Sequence, residues 1–156
     1  MCNGYWVKTS QQLDHQICFA LYSAARSATA AYREALAEIG LTYTQYVTLL
    51  ALWERDGRTV SELGEALRLD SGTLSPLLTR MAASGLVERR RDGEDSRRVT
   101  IHLTDAGLDL ESRVGAIQHR LYDAVDMEPE ELATLRRLAQ RFCESIGDTP
   151  TQGAPR

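Results

Sequence analysis

Between residues 86 and 103 the periodicity of the chain changes, and that change limits what the chain can fold into. "LVERRR" and "SRRVTIHL" alternate apolar and polar residues with the period of a strand, and "DGED" between them has turn chemistry. Together they predict a hairpin of two short strands. On either side, apolar residues recur at helical spacing.

Four helices precede the hairpin. Leu13, Ile17, Leu21 and Leu36, joined by many alanines, predict one long helix over residues 13–39, closed by Gly40. "TYTQYVTLLALWERDG" predicts a second, from near Thr44 to Gly57. "TVSELGEALRL" predicts a short third, capped by Thr59 or Ser61. "DSGTLSPLLTRMAASG" predicts a fourth, capped by Asp70 or Ser71, with Leu74, Leu77, Leu78 and Met81 as its apolar stripe. Pro76 falls early in it, where proline costs less than at the centre. After the hairpin, Thr104 caps a long helix, and a last helix starts near Pro129 and ends at Gly147. The tail 148–156 reads as disordered.

Two short helices with a tight connection, an amphipathic helix and a basic hairpin predict a mainly α fold with a small β-hairpin wing. This is a winged helix-turn-helix over residues 44–103 of a single domain spanning 1–156. The helices at 13–39 and 104–147 are too long for that core alone. Their apolar faces call for a partner, most simply a second copy, so a homodimer is expected.

Composition removes several function classes. The longest apolar stretch, residues 46 to 53, is far short of the ~20 residues of a membrane span. The N-terminus has no signal-peptide pattern, so a cytoplasmic protein with no membrane partner is expected. Cys2, Cys18 and Cys143 are odd in number and widely spaced, which fits neither a disulfide framework nor a metal site. His15, His102 and His119 lack metal-ligand spacing and read as surface or structural. No metal, cofactor or catalytic constellation is expected. The formal charge of −4 means that any DNA binding must come from a local basic patch.

Such a patch exists. The fourth helix has a polar face of Thr73, Ser75, Thr79 and Arg80, with Ser71 at its start. Small hydroxyls let a helix approach base edges, and arginine pairs bidentately with guanine. In the hairpin, Arg89, Arg90 and Arg91 precede the turn and Arg97 and Arg98 follow it. An arginine near a wing tip suits the minor groove, and Asp95, two residues from Arg97, could hold it in place. The blander alternative is a solvated hairpin, because Asp92, Glu94 and Asp95 nearly cancel the arginines. A dimeric helix-turn-helix would read double-stranded DNA with a pseudo-palindromic operator.

Cys18 has two readings from the residues alone. A lone cysteine on an apolar helix face is commonly core filler. Cys18 also sits near a helix start, where the macrodipole favours a thiolate, and Tyr22 lies one turn on, able to donate to it. Tyr32 is fourteen residues further, close to the same face but about 21 Å along the axis. It cannot reach its own Cys18, but it could reach that of an antiparallel partner.

"DGEDSRRVTIHLTDAG" resembles the wing signature of the MarR family of dimeric repressors, with Asp95, Arg97, Val99, Leu103 and Thr104 at matching places. "QICFALYSAAR", "LTYTQYVTLLALWE", "LDSGTLSPLLTRM" and "GLVERRR" resemble more closely its organic-hydroperoxide-sensing, OhrR-type branch. The similarity runs over residues 13 to 107; the last helix and both termini lie outside it. It implies that Cys18 is the peroxide-reactive thiol and that Tyr22 and Tyr32 hydrogen-bond it across the dimer, with Tyr43 nearby. The family's "TYPQY" is "TYTQY" here. The implied chemistry is a sulfenic acid formed on Cys18 by an organic hydroperoxide, then a disulfide, then release of DNA.

Two-cysteine members of that branch carry a resolving cysteine in the loop before the last helix, and "RLYDAVDMEPEEL" has none. Cys143 shares a face with Leu135, Ala139 and Ile146 and reads equally as a small core residue or a resolving thiol. Cys2 reads as a terminal thiol. Whether one or two cysteines act stays open at this level. So do a repressor responding to small aromatic ligands with Cys18 inert, and a thiol peroxidase, although the latter has no use for an arginine wing.

Overall fold

The computed structural model describes residues 12–91 and 99–146. A 3-10 turn, Leu13–His15, leads into α1 (Ile17–Ala37), followed by α2 (Tyr43–Glu54), β1 (Arg58–Thr59), α3 (Val60–Leu67) and α4 (Ser71–Ala83). Then come β2 (Val87–Arg91), β3 (Val99–Leu103), α5 (Asp105–Asp123) and α6 (Pro129–Ile146). Chain contacts divide it after Tyr43 into two compact units, residues 1–43 and 44–156.

In the first unit the long helix starts later than its periodicity predicts. Gln16 takes an extended conformation, φ −87° and ψ 105°, and caps α1 with its backbone alone. The apolar spacing of Leu13 and Ile17 passes through this break, because a 3-10 turn also returns residues to one side about every third position. At the other end Gly40, at φ +72°, closes α1, and the Leu41 amide bonds back to the Leu36 carbonyl.

The second unit holds the helix-turn-helix and a three-stranded antiparallel sheet ordered β1-β3-β2. Val87 pairs with Leu103 and Arg91 with Val99, which aligns the two wing strands in register. Leu49, Leu52, Leu63, Leu74, Leu78, Met81, Ile101 and Val114 are fully buried, so α2 to α5 and the sheet share one core. The stripe expected on α4, Leu74, Leu77, Leu78 and Met81, is the face that enters it.

Local chemistry fixes each boundary. Thr59 caps α3 through a reciprocal box: its hydroxyl accepts from the Glu62 amide, while the Glu62 carboxylate accepts from the Thr59 amide at 2.7 Å. Asp70 caps α4 by accepting from the Thr73 amide, and Thr104 caps α5 by accepting from the Gly107 amide. The carboxylates of Glu62 and Asp70 are both held below their ordinary range, first by the backbone amides of Thr59 and Thr73 and then by the same residues' hydroxyls. For Glu62 the value falls to about 2, with Arg55 contributing further.

The third strand, β1, is an addition to the two-strand hairpin expected from the sequence. Arg58 pairs with Ile101 and Thr59 with Thr100. Two residues carry no readable period, and Thr59 doubles as a helix cap. The turn before β1 is tied to β3 by Asp56, whose carboxylate accepts from the Leu103 amide at 2.9 Å and lies 3.1 Å from His102 Nδ1. His102 Nε2 lies 3.0 Å from the Thr100 hydroxyl, which gives this histidine the structural role expected of it.

Candidate nucleic-acid interface and thiol site

The polar face of α4 is solvent-exposed at Ser71, Thr73, Ser75, Thr79 and Arg80. Its members are not equivalent. The Thr73 hydroxyl donates to the Asp70 carboxylate at 3.0 Å, and the Thr79 hydroxyl donates to the Ser75 carbonyl at 2.9 Å. The Arg89 guanidinium reaches across from β2, donating to Thr79 Oγ1 at 3.1 Å and to the Ser75 carbonyl at 3.3 Å. The side chains of Ser71, Ser75 and Arg80 have no such partner among the described residues. The sequence reading placed all of these groups together as DNA contacts and did not resolve which are already engaged inside the chain.

Alternation along β2 explains the Arg89 contact. Val87 is buried, so Arg89, two residues on, lies on the same side of the strand, toward α4. Arg90 points the other way and pairs with Glu88 on its own strand. Asp95, Arg97 and Arg98, expected at the tip of the wing, lie outside the described residues.

The thiol site begins at the second residue of α1. Cys18 is exposed and stands in the turn whose first amides have no intrahelical carbonyl to pair with. Beside it Ile17 is 58% exposed and Phe19 41% exposed, so the apolar face that carries Cys18 stays open and the core-filler reading does not hold within one chain. Tyr22, one turn on, has its ring under the Arg26 guanidinium at 5.6 Å, and its oxygen accepts from Arg26 at 3.4 Å. Tyr32 and Tyr43 meet edge to face, with ring centroids 5.7 Å apart.

Cys143 departs from the core-filler reading. It is exposed, and no residue of α6 is buried. Its apolar stripe exists, but it is not covered among the described residues: Leu135, Leu138 and Ile146 are 47%, 41% and 61% exposed. Cys2 lies outside the described residues. Among the described residues no group of His, Cys, Asp and Glu is placed to hold a metal ion, and no helix is long and apolar enough to cross a membrane.

Comparison with known proteins agrees with this architecture. Residues 30–113 match the family described as transcriptional regulator SarA/Rot. The HTH-type transcriptional regulator TtmR of Methylorubrum extorquens is 48% identical over 125 residues, 80% of this chain. The match spans 64% of that protein, under two thirds of its length. The organic hydroperoxide resistance transcriptional regulator of Bacillus subtilis is 38% identical over 135 residues, 86% of this chain and 92% of that protein. Among solved structures, reduced AbfR bound to DNA is 32% identical with a TM-score of 0.71, covering 88% of this chain and 96% of AbfR. AbfR, from Staphylococcus epidermidis, has also been solved with a disulfide formed; that form is 31% identical with a TM-score of 0.65, covering 90% of this chain and 98% of AbfR. With a winged helix-turn-helix in place and relatives of this similarity, the chain belongs to the SarA/Rot-type, MarR-like family of winged-helix transcriptional regulators, which are DNA-binding proteins and not enzymes.

Proposed function

We propose that this regulator is a homodimeric, cytoplasmic repressor of the organic-hydroperoxide-sensing type, with Cys18 as its sensor. The observation that carries the reading is the exposed thiol at the second residue of α1, in a chain that aligns almost end to end with a regulator named for organic hydroperoxide resistance. The thiolate attacks the terminal oxygen of the peroxide, the O–O bond breaks, and that oxygen stays on sulfur with its hydrogen, so Cys18 becomes a sulfenic acid while the alkoxide leaves and takes a proton from water to become the alcohol. Condensation with a second thiol then gives a disulfide and water.

The tyrosines serve that chemistry from two chains. The Tyr22 oxygen already accepts from Arg26, so its own proton is available to a thiolate. Tyr32 and Tyr43, packed on each other, approach Cys18 of the partner as one aromatic unit. Helices 13–39 and 104–147 form the dimer. The exposed apolar residues of α1 and α6 need such a cover, as does an open groove of about 680 Å³ lined by Tyr122, Val125, Met127, Leu132 and Leu135. Each protomer then presents α4 to a major groove and its wing to the flanking minor groove, with Arg97 and Arg98 the wing contacts and Asp95 the residue that the sequence offers to hold Arg97. Disulfide formation alters the spacing of the two α4 helices, and the pseudo-palindromic operator is released.

A gel-shift with DNA from upstream of the protein's own gene tests this reading, using wild type and Cys18→Ser with and without cumene hydroperoxide. The expected result is release of wild type only, with Cys18→Ser bound throughout. Release of Cys18→Ser by the peroxide, or retention of wild type, overturns it. Release by small aromatic acids alone would identify the ligand-responsive alternative instead.

A further inference from the structure

We propose that Arg89 is a positioning residue: its guanidinium clamps wing strand β2 to α4 through Thr79 Oγ1 and the Ser75 carbonyl and so fixes the angle between the two DNA-reading elements. The inference rests on the DNA-binding reading above and departs from it at one point, because Arg89 ceases to be a phosphate or base contact.

Three observations carry it. The two contacts, 3.1 and 3.3 Å, converge on one guanidinium nitrogen and join residues 10 and 14 positions apart, so they link separate elements. The Thr79 hydroxyl is itself oriented, since it donates to the Ser75 carbonyl and therefore presents a lone pair to Arg89. The backbone also leaves Arg89 little choice of side: Val87 is buried on the core side of β2, and alternation aims residue 89 the same way. Where β2 leaves the core, residues 88 to 91 are all exposed, so no apolar packing holds this stretch to the helix. Both bonds leave one terminal nitrogen whose two hydrogens are fixed in the guanidinium plane, at the end of a side chain one bond longer than lysine's, so an ammonium would neither reach as far nor hold the same directions.

The wing and the helix enter adjacent grooves, so an error in their angle penalises the duplex that fits both, the operator, more than duplexes held by phosphate attraction alone. Arg89→Ala is expected to lower operator affinity roughly ten-fold, the size of one or two hydrogen bonds to a charged donor, with little change on random DNA. A residue that neutralised a phosphate would behave otherwise: its loss would weaken both duplexes and lower the salt slope by about one.

The test measures binding of upstream and random DNA across a salt series, together with thermal unfolding, for Arg89→Ala, Arg89→Lys, Thr79→Val and the Arg89→Ala/Thr79→Val double variant. The expected results are an operator-selective loss with unchanged salt slope, no rescue by lysine, and a double variant no worse than the more severe single one in both binding and stability. A reduced slope, rescue by lysine, or additive losses in unfolding would each overturn the clamp. The unfolding cycle needs no DNA. Failure of wild type to prefer upstream DNA would therefore count against the proposed function, while absence of Arg89–Thr79 coupling would count against the clamp.

Discussion

At Gly107 a methyl group would meet the Leu86 carbonyl oxygen well inside contact distance, with the Leu103 side chain at 3.2 Å behind it. That carbonyl accepts from the Thr104 amide at 3.2 Å, and the Gly107 carbonyl accepts from Trp53 Nε1 at 3.0 Å, so neither chain is free to move aside. Gly107→Ala is therefore expected to destabilise the fold by about 2–3 kcal/mol, the upper range for overpacking, read from urea unfolding. Trp53→Phe, which removes this hydrogen bond and part of a half-buried ring, should cost about 1–2 kcal/mol. Glu62 supports a pH prediction. Its carboxylate titrates near 2 in the folded chain against an ordinary 4.5, so the unfolded state binds the proton first as pH falls. The stability it supplies is complete above pH 4.5 and lost on the way down to 2. The melting temperature of wild type should exceed that of Glu62→Gln at neutral pH, and the gap should close across that window. Caps are short-range signals, so Thr104 was legible in the sequence outright, and Thr59 and Asp70 each as one of two neighbouring candidates. The Arg89 contact was not, because it depends on two faces that only the folded backbone brings together.

Among elements, α6 is the one that cannot explain itself. Eighteen residues from Pro129 to Ile146 bury no side chain, and a helix of that length in water is marginal without tertiary cover. Its apolar stripe was legible, and so was the need of so long a helix for a partner, while Cys143 on that stripe read equally as a small core residue or a resolving thiol. Periodicity marks the apolar face but not how much of it the chain's own core covers, and here the core reading of Cys143 fails because no residue of α6 is buried. Leu138→Asp is expected to give monomers by analytical ultracentrifugation and to lose helical ellipticity and operator binding together. A dimer that survives it would move the interface elsewhere. The same distinction accounts for β1 and for the break at Gln16. Two strand residues and one extended residue are too few to disturb a periodic pattern, although they decide where the sheet ends and where α1 begins.

At the scale of the molecule, an acidic chain of net charge −4 gathers arginines onto one hairpin, and its readable hydroxyl face lies on the helix beside it. Much of that face is spoken for internally: Thr73 by Asp70, Thr79 by Ser75 and Arg89. The side chains of Ser75 and Arg80 make no internal hydrogen bond among the described residues, and both residues are exposed and lie outside the stripe that builds the core. Exposed substitutions away from caps and packing cost at most about 0.5 kcal/mol, so these two positions can vary almost without penalty to the fold. A library randomised at residues 75 and 80 should yield variants with nearly unchanged melting temperatures and altered preferences in a selection from random duplexes. A library at 73 and 79 should instead lose stability or the discrimination of operator from random DNA, because Thr73 is bonded to the cap Asp70 and Thr79 to Arg89. After gene duplication, two copies of such a regulator could thus part ways in the promoters they address through a pair of codons, while the rest of the fold is inherited intact.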